Sequence, residues 1–193
     1  AAWHKEQTEW ISSLTFSNDG ERLGLIDSTG VFLIVDVNTN SVKQKLQIGR
    51  AITGWTKCRW NAFNPQIAVS FDKSKFNLVD PDKATMLFSS DYDLHKDWIT
   101  WIDWDREGSL IASSSRDKTV KIFDVREGRV VQNLEGLHEG FVDSVKWSPC
   151  GKLLATASSD TKVRVLDLST SRISRQWNTC DGQEANSVCF LEL

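Results

Sequence analysis

The 193-residue sequence predicts an all-β protein built from a repeated four-stranded unit, and three observations predict it. First, an aromatic residue that closes a short alternating run recurs at Phe16, Trp60, Trp104, Trp147 and Phe190, in steps of 44, 44, 43 and 43 residues. Second, an apolar residue followed by Asp recurs as Val35-Asp36, Val79-Asp80, Phe123-Asp124 and Leu166-Asp167, each Asp standing 20 positions beyond its aromatic. Third, the stretches between these fixed points alternate apolar with polar residues and are punctuated by Asp, Gly, Ser and Asn clusters, so they read as strands and tight turns, with no helix longer than a turn. A fixed period of this size marks a repeat architecture.

The units follow in order. The first, residues 10–48, opens on the strand WISSLTF at 10–16, and its Asn18-Asp19-Gly20 reads as a hairpin turn. The second, 54–92, opens on 54–60, the third, 98–135, on WITWIDW at 98–104, and the fourth, 141–178, on FVDSVKW at 141–147. The fourth shows the whole unit most clearly: after its first strand come the turn PCGK, the strand LLATASS, the turn DTK, the strand VRVLDL, the turn STS and the strand RISRQW. Residues 184–193 start a further unit, with an innermost strand expected at 184–190. Four strands in about 43 residues without a helix describe a propeller blade, a twisted sheet that buries both faces against its neighbours.

Composition sets the outer bounds. With 40% apolar and 25% charged residues the chain can bury a core, and its formal charge of −3 disfavours a polyanion partner or a polybasic membrane contact. The longest aliphatic and aromatic run, Val31 to Val35, is far short of the roughly 20 residues of a membrane helix. Cys58, Cys150, Cys180 and Cys189 lie far apart with no CxxC pair, which suggests neither a zinc site nor a disulfide framework and fits reduced thiols in the cytoplasm or nucleus. No cofactor motif is present: the histidines lack a ligand partner at helical spacing, and the glycines sit singly in turns.

These residues resemble the WD40-repeat β-propeller family. The fourth unit, His138 followed by VDSVKWSPCGKLLATASSDTKVRVLD ending at Asp167, is similar to the family's GH…WSPDG…ASSSDDTVKLWD pattern, and the third, with His95 and WIDWDREGSLIASSSRDKTVKIFD ending at Asp124, matches nearly as well. In both, a His precedes the aromatic by 9 and an Asp follows it by 13, giving the pairs His95/Asp117 and His138/Asp160. The first two units depart, with Gln7 and Ala51 at the His position and Thr29 and Lys73 at the Asp position, and all four replace the signature Trp before the final Asp. Propellers of this family usually have seven blades, about 300 residues. The resemblance therefore implies that residues 1–193 are part of one larger propeller: four complete blades plus the first strand of a fifth. The remaining blades of the same propeller, or another subunit, would complete the ring, since an open arc leaves sheet faces in water.

The sets His138, Ser158, Asp160 and His95, Ser115, Asp117 have the residue types of a hydrolase triad, but no GxSxG elbow accompanies them and they repeat at the blade period. In the family these positions form a structural hydrogen-bond network, so no catalytic role is assigned. Asp36, Asp80, Asp124 and Asp167 read as turn formers after the third strand. The five recurring aromatics are expected in the core between blades. Others remain: six residues before each stand Trp10, Gly54, Trp98, Phe141 and Glu184, and three before stand Ser13, Lys57, Trp101, Ser144 and Ser187. In WD40 proteins these positions surround the channel mouth where peptides dock. Trp10, Trp98, Trp101 and Phe141 are therefore the candidate partner-binding residues, with Lys57 and Arg116 adding charge. The expected function is a non-catalytic scaffold that holds a protein or peptide segment on the propeller face. The alternatives are a regulatory sensor propeller of a larger, apoptosome-like signalling ATPase, or an RNA-binding propeller using Lys57, Arg59 and Arg116, which the acidic balance opposes.

Overall fold

The computed structural model describes residues 10–49, 56–71, 74–90 and 94–190. Two compact units divide the chain, residues 1–93 and 94–193, and each holds two four-stranded antiparallel sheets. In the first unit, blade 1 consists of β1 (Ile11–Phe16), β2 (Arg22–Asp27), β3 (Val31–Asp36) and β4 (Ser41–Gln47). Blade 2 consists of β5 (Cys58–Trp60), β6 (Ile67–Phe71), β7 (Lys75–Asp80) and β8 (Thr85–Ser89). In the second unit, blade 3 runs β9 (Ile99–Trp104), β10 (Leu110–Ser115), β11 (Val120–Asp124), β12 (Arg129–Leu134), and blade 4 runs β13 (Val142–Trp147), β14 (Leu153–Ser158), β15 (Lys162–Asp167), β16 (Arg172–Asn178). Every sheet is ordered as the chain runs, which tight turns between antiparallel neighbours require. Among the described residues the only helical element is a 3-10 turn at Cys180–Gly182, and no helix is long and apolar enough to cross a membrane.

The turns repeat as strictly as the strands. The residue 24 positions beyond each aromatic has a left-handed backbone, whichever side chain it carries: Asn40 (φ 51°), Ala84 (φ 50°), Gly128 (φ 66°) and Ser171 (φ 53°). The turn between the second and third strands does the same at Gly30 (φ 80°), Lys118 (φ 71°) and Thr161 (φ 67°). Topology therefore overrides local preference at Ala84 and Thr161, since a left-handed backbone crowds Cβ and is worst for β-branched residues. The aspartates at the end of each third strand fix the last turn by accepting backbone N–H groups. Asp36 takes Thr39 (2.7 Å), Asp80 takes Asp82 (2.9 Å), Asp124 takes Arg126 (2.8 Å) and Asp167 takes Ser169 (2.9 Å).

Within the first unit, Ile26, Phe32, Ile34 and Ile48 of blade 1 pack against Cys58, Ile67, Val69 and Val79 of blade 2. Gly24 leaves room for the Phe32 ring of its own sheet: a Cβ there would stand 2.9 Å from that ring. Side chains of β1 also stitch the backbone of β5, Ser13 Oγ accepting Cys58 N–H at 3.1 Å and Thr15 Oγ1 accepting Trp60 N–H at 3.0 Å. Arg22 closes the rim, paired with Asp82 at 2.5 Å while its guanidinium lies 4.9 Å above the Trp60 ring. Burial pushes the Cys58 thiol in this core up to about 11. In the second unit, Ala112, Val120, Ile122 and Leu134 of blade 3 meet Val142, Val145, Trp147, Leu154 and Leu166 of blade 4. Here Asp103 is the stitch, accepting Trp147 N–H at 2.9 Å and Lys146 Nζ at 2.6 Å.

Two expectations are corrected. Trp104 and Trp147 are buried, but Trp60 and Phe190 are only half-buried and Phe16 is 55% exposed. Trp147 is covered by blade 3 within the second unit, whereas no described sheet precedes blade 1 to cover Phe16. The face that carries Phe16 and Leu14 instead buries only Leu25, Leu33 and Val35 beneath them. Residues 184–190 form no strand. A strand needs a ladder partner, and no described strand pairs with this segment, although Ala185 N–H donates to Ser158 O at 3.1 Å and Ala185 is buried.

Candidate functional site

Two polar clusters stand out in the second unit. In blade 3 the buried His95 ring approaches Asp117 with Nδ1 3.1 Å from Oδ2, while Nε2 lies 2.8 Å from Ser113 Oγ. Asp117 also accepts Lys96 N–H (2.8 Å) and Thr119 N–H (3.0 Å), so one carboxylate ties the loop before β9 to the β10–β11 turn. In blade 4, His138 Nδ1 lies 3.0 Å from Asp160, Nε2 lies 2.8 Å from Thr156 Oγ1, and Asp160 accepts Glu139 N–H (3.1 Å) and Lys162 N–H (3.1 Å). Gly140 is demanded by this closeness, since a Cβ would stand 2.6 Å from Asp160 N.

The clusters differ in one group. Arg164 of β15 places its guanidinium 2.6 Å from His138 Nδ1 and 2.9 Å from Asp160 Oδ2. Arginine only donates and a carboxylate only accepts, so His138 Nδ1 stands between a donor and an acceptor, while Nε2 meets the Thr156 hydroxyl, which can do either. His95 has no such neighbour: its Nδ1–H donates to Asp117 and Nε2 accepts from Ser113. Burial lowers the pKa of both imidazoles, against the opposing pull of their aspartates. Burial by itself would raise Asp117 and Asp160, but hydrogen bonds from His95 and Thr119 in one case, and from Arg164 and His138 in the other, hold them far below the usual carboxylate range.

Ser115 and Ser158, grouped with these histidines by spacing, do not bond to them. Ser115 Oγ accepts Asp117 N–H (3.0 Å) and donates to Asp97 O (3.1 Å), and Ser158 Oγ accepts Asp160 N–H (3.1 Å). The hydroxyls on the rings are those of Ser113 and Thr156, two residues earlier and so on the same sheet face, a signal carried by strand alternation. Arg164 was missed as well, because its long stem reaches from the third strand. In blade 1, where Thr29 replaces the Asp, Asp27 does the work, its Oδ1 accepting Thr29 N–H (2.8 Å) and Val31 N–H (3.1 Å). Gln7, Ala51, Gly54 and Lys73 lie outside the described residues.

The duplicated cluster and the blades that frame it agree with comparisons to known proteins. Residues 85–124 match the family described as WD domain, G-beta repeat, and residues 135–192 match the anaphase-promoting complex subunit 4 WD40 domain, together just over half of the chain. The chain belongs to the WD40-repeat family. Among solved structures, a chain in one titled "Crystal Structure of Mitotic Checkpoint Complex" is similar to it, with TM-score 0.80 and 19% identity over 94% of the WD40 chain. The WD40 chain spans 54% of that chain, and the likeness shows the fold alone.

The candidate partner-binding residues of this WD40 chain fall into both units. In the first, Trp10 is 62% exposed, and Lys57 is half-buried, its pKa lowered by burial and by Arg59. In the second, Trp98 and Trp101 are half-buried and Phe141 is 37% exposed, with the Arg116 guanidinium 4.5 Å from its ring centroid. Phe141 N–H donates to Ser159 Oγ at 2.8 Å, which fixes the start of β13. Asp143 lies nearby: its Oδ2 is shielded and lacks a hydrogen bond, and burial, reinforced by Glu184, raises its pKa. Among the described residues no group of three or more His, Cys, Asp or Glu side chains is placed to hold a metal ion.

Proposed function

We propose that this chain is a non-catalytic interaction scaffold whose blades hold a protein or peptide segment, and that it forms part of one propeller completed by further blades. The Phe141 shelf carries the reading: an aromatic ring exposed over a third of its surface and stacked by Arg116, whose backbone N–H donates to the carbonyl of the half-buried Trp98. Aromatic and arginine side chains held on rigid strands supply binding energy with little to order on association. Asp143 offers a carboxylate at the same place for a cationic group of the partner. The polar clusters favour scaffolding over chemistry, because both ring nitrogens of each histidine are engaged and neither Ser115 nor Ser158 touches its ring. The family matches and the checkpoint-complex likeness support a place inside a multi-protein assembly.

Affinity capture from an extract, quantified for the native protein beside Trp98→Ala and Phe141→Ala, tests this reading. An exposed hot-spot truncation costs about 2 kcal/mol, so bound partner should fall about 30-fold while the melting temperature stays within a few degrees. Partners retained undiminished by both variants would overturn the face assignment, and so would variants that fail to fold.

A further inference from the structure

In both blades of the second unit the residue four before the recurring aromatic is a bulge: the pairing of β9 with β10 slips around Thr100, and that of β13 with β14 slips around Asp143. At Thr100 the bulge serves the neighbouring blade. Its hydroxyl donates to the carbonyl of Val142, five residues before the next aromatic, and lies 3.0 Å from Ser114 Oγ. Thr100 is buried, so water does not compete for this bond.

Asp143 stands where Thr100 does, and Ala185, five before Phe190, stands where Val142 does. Ala185 is buried and its N–H rests on Ser158 O at 3.1 Å, so its backbone already lies against blade 4. The chemistry is reversed, however. An ionised carboxylate has only acceptors, so it cannot give a backbone carbonyl the bond that the Thr100 hydroxyl gives. Asp143 Oδ2 is shielded from water and has no hydrogen-bond partner, and a polar atom left so in a native interior needs a physical reason.

We propose that Asp143 is a proton-operated fastening: in its neutral form Oδ2–H donates to the Ala185 carbonyl and holds that segment to blade 4, and ionisation lets it go. The surroundings favour proton uptake. Burial raises the pKa and the Glu184 carboxylate raises it further, against the opposing pull of Ser159 N–H and the Arg116 charge. An acid whose folded pKa is raised gives its stabilisation in full below the ordinary 3.8 and loses it as pH rises through the raised value. That sign is opposite to the one set by His95 and His138, so acid tightens this contact while it loosens the rest of the unit. The proposal stands on the register of Thr100 and Asp143 and not on what binds the Phe141 shelf. The two uses of Asp143 exclude one another, because only the ionised form is open to a cation.

The test follows the Asp143 carboxyl and the Ala185 backbone carbonyl by carbon NMR as the full chain is taken into acid. The two signals should move together, with one midpoint above 3.8. Asp143→Asn supplies a permanent N–H donor and should hold the Ala185 carbonyl at its acid position at every pH, whereas Asp143→Ala should hold it at its neutral position. At pH 7 the Ala185 amide should exchange about 10-fold more slowly in Asp143→Asn than in Asp143→Ala, as one added hydrogen bond dictates. Both variants relieve the repulsion from Glu184, so the difference between them reads the bond alone. Asp143→Thr, which copies blade 3, should behave as Asp143→Asn and guards against a misfit of the amide. An Ala185 carbonyl that does not follow Asp143, or equal exchange in the Asn, Thr and Ala variants, overturns the proposal.

Discussion

Blades 1 and 4 have the same backbone and hold it by opposite means. At the positions where blade 4 places Thr156 and Arg164 on the face that carries its recurring aromatic, blade 1 places Leu25 and Leu33. Blade 4 joins loop and turn through a buried His–Asp–Arg cluster, whereas blade 1 relies on aliphatic packing and lets Asp27 cap its own turn. The blade is thus specified by strand alternation and turn geometry, and the polar cluster is an added fastening that brings pH dependence. Blade 2 falls between: at the Arg164 position it buries Asn77, whose amide nitrogen and oxygen both lack partners among the described residues.

The comparison is tested most severely at the core of the first unit. Phe32→Ala removes a ring buried between blades 1 and 2 and should cost about 4 kcal/mol in denaturant unfolding. A cost below about 1 kcal/mol would mean that aliphatic packing does not hold this unit.

Asp160→Ala should come next, at about 3 kcal/mol, because it leaves Arg164 and His138 buried without their carboxylate. The same cluster predicts a difference in acid. Both imidazoles have folded pKa values below their ordinary 6.5, so as pH falls through 6.5 the unfolded chain takes up protons first and the second unit loses stability. Asp117 and Asp160, held below 3.8, add a further loss beneath that value. No histidine is among the described residues of the first unit, so between pH 6.5 and 4 its stability should stay nearly level. Hydrogen exchange at pH 7 and pH 5, corrected for intrinsic rates, reads the two units separately. Equal slopes would remove the distinction.

Smaller effects sharpen it. Asn77→Leu gives blade 2 the residue that blade 1 uses at that register and relieves two unpaired polar atoms, so it should stabilise by about 1 to 2 kcal/mol. A destabilised variant would show that the amide has a hidden partner. Thr161→Gly frees a β-branched residue from a left-handed backbone and should add about 1 kcal/mol, measured by thermal unfolding. No gain would mean that neighbouring contacts offset the strain.

Much of this was legible in the sequence for local reasons. Turn aspartates and strand alternation act over a few residues, so Asp36, Asp80, Asp124 and Asp167 marked the ends of third strands without reference to anything distant. The pairs His95/Asp117 and His138/Asp160 were legible from repeat spacing, because two blades carry them at one interval. What escaped depends on partners far along the chain. Phe16 carries the same pattern as Trp147 but lacks a covering sheet, Arg164 joins its cluster only through the pairing of β15 with β14, and 184–190 has strand character with no ladder to express it.

Cys58 gives the first unit a chemical clock. Its Sγ is sealed between blades 1 and 2 and its pKa is pushed up to about 11, while Cys150, Cys180 and Cys189 are exposed. An electrophile needs a thiolate that it can reach. Three thiols should therefore label at once, and the fourth only when the two blades part. The rate of that last event measures the opening free energy of this one interface in the native protein, undisturbed by mutation or denaturant.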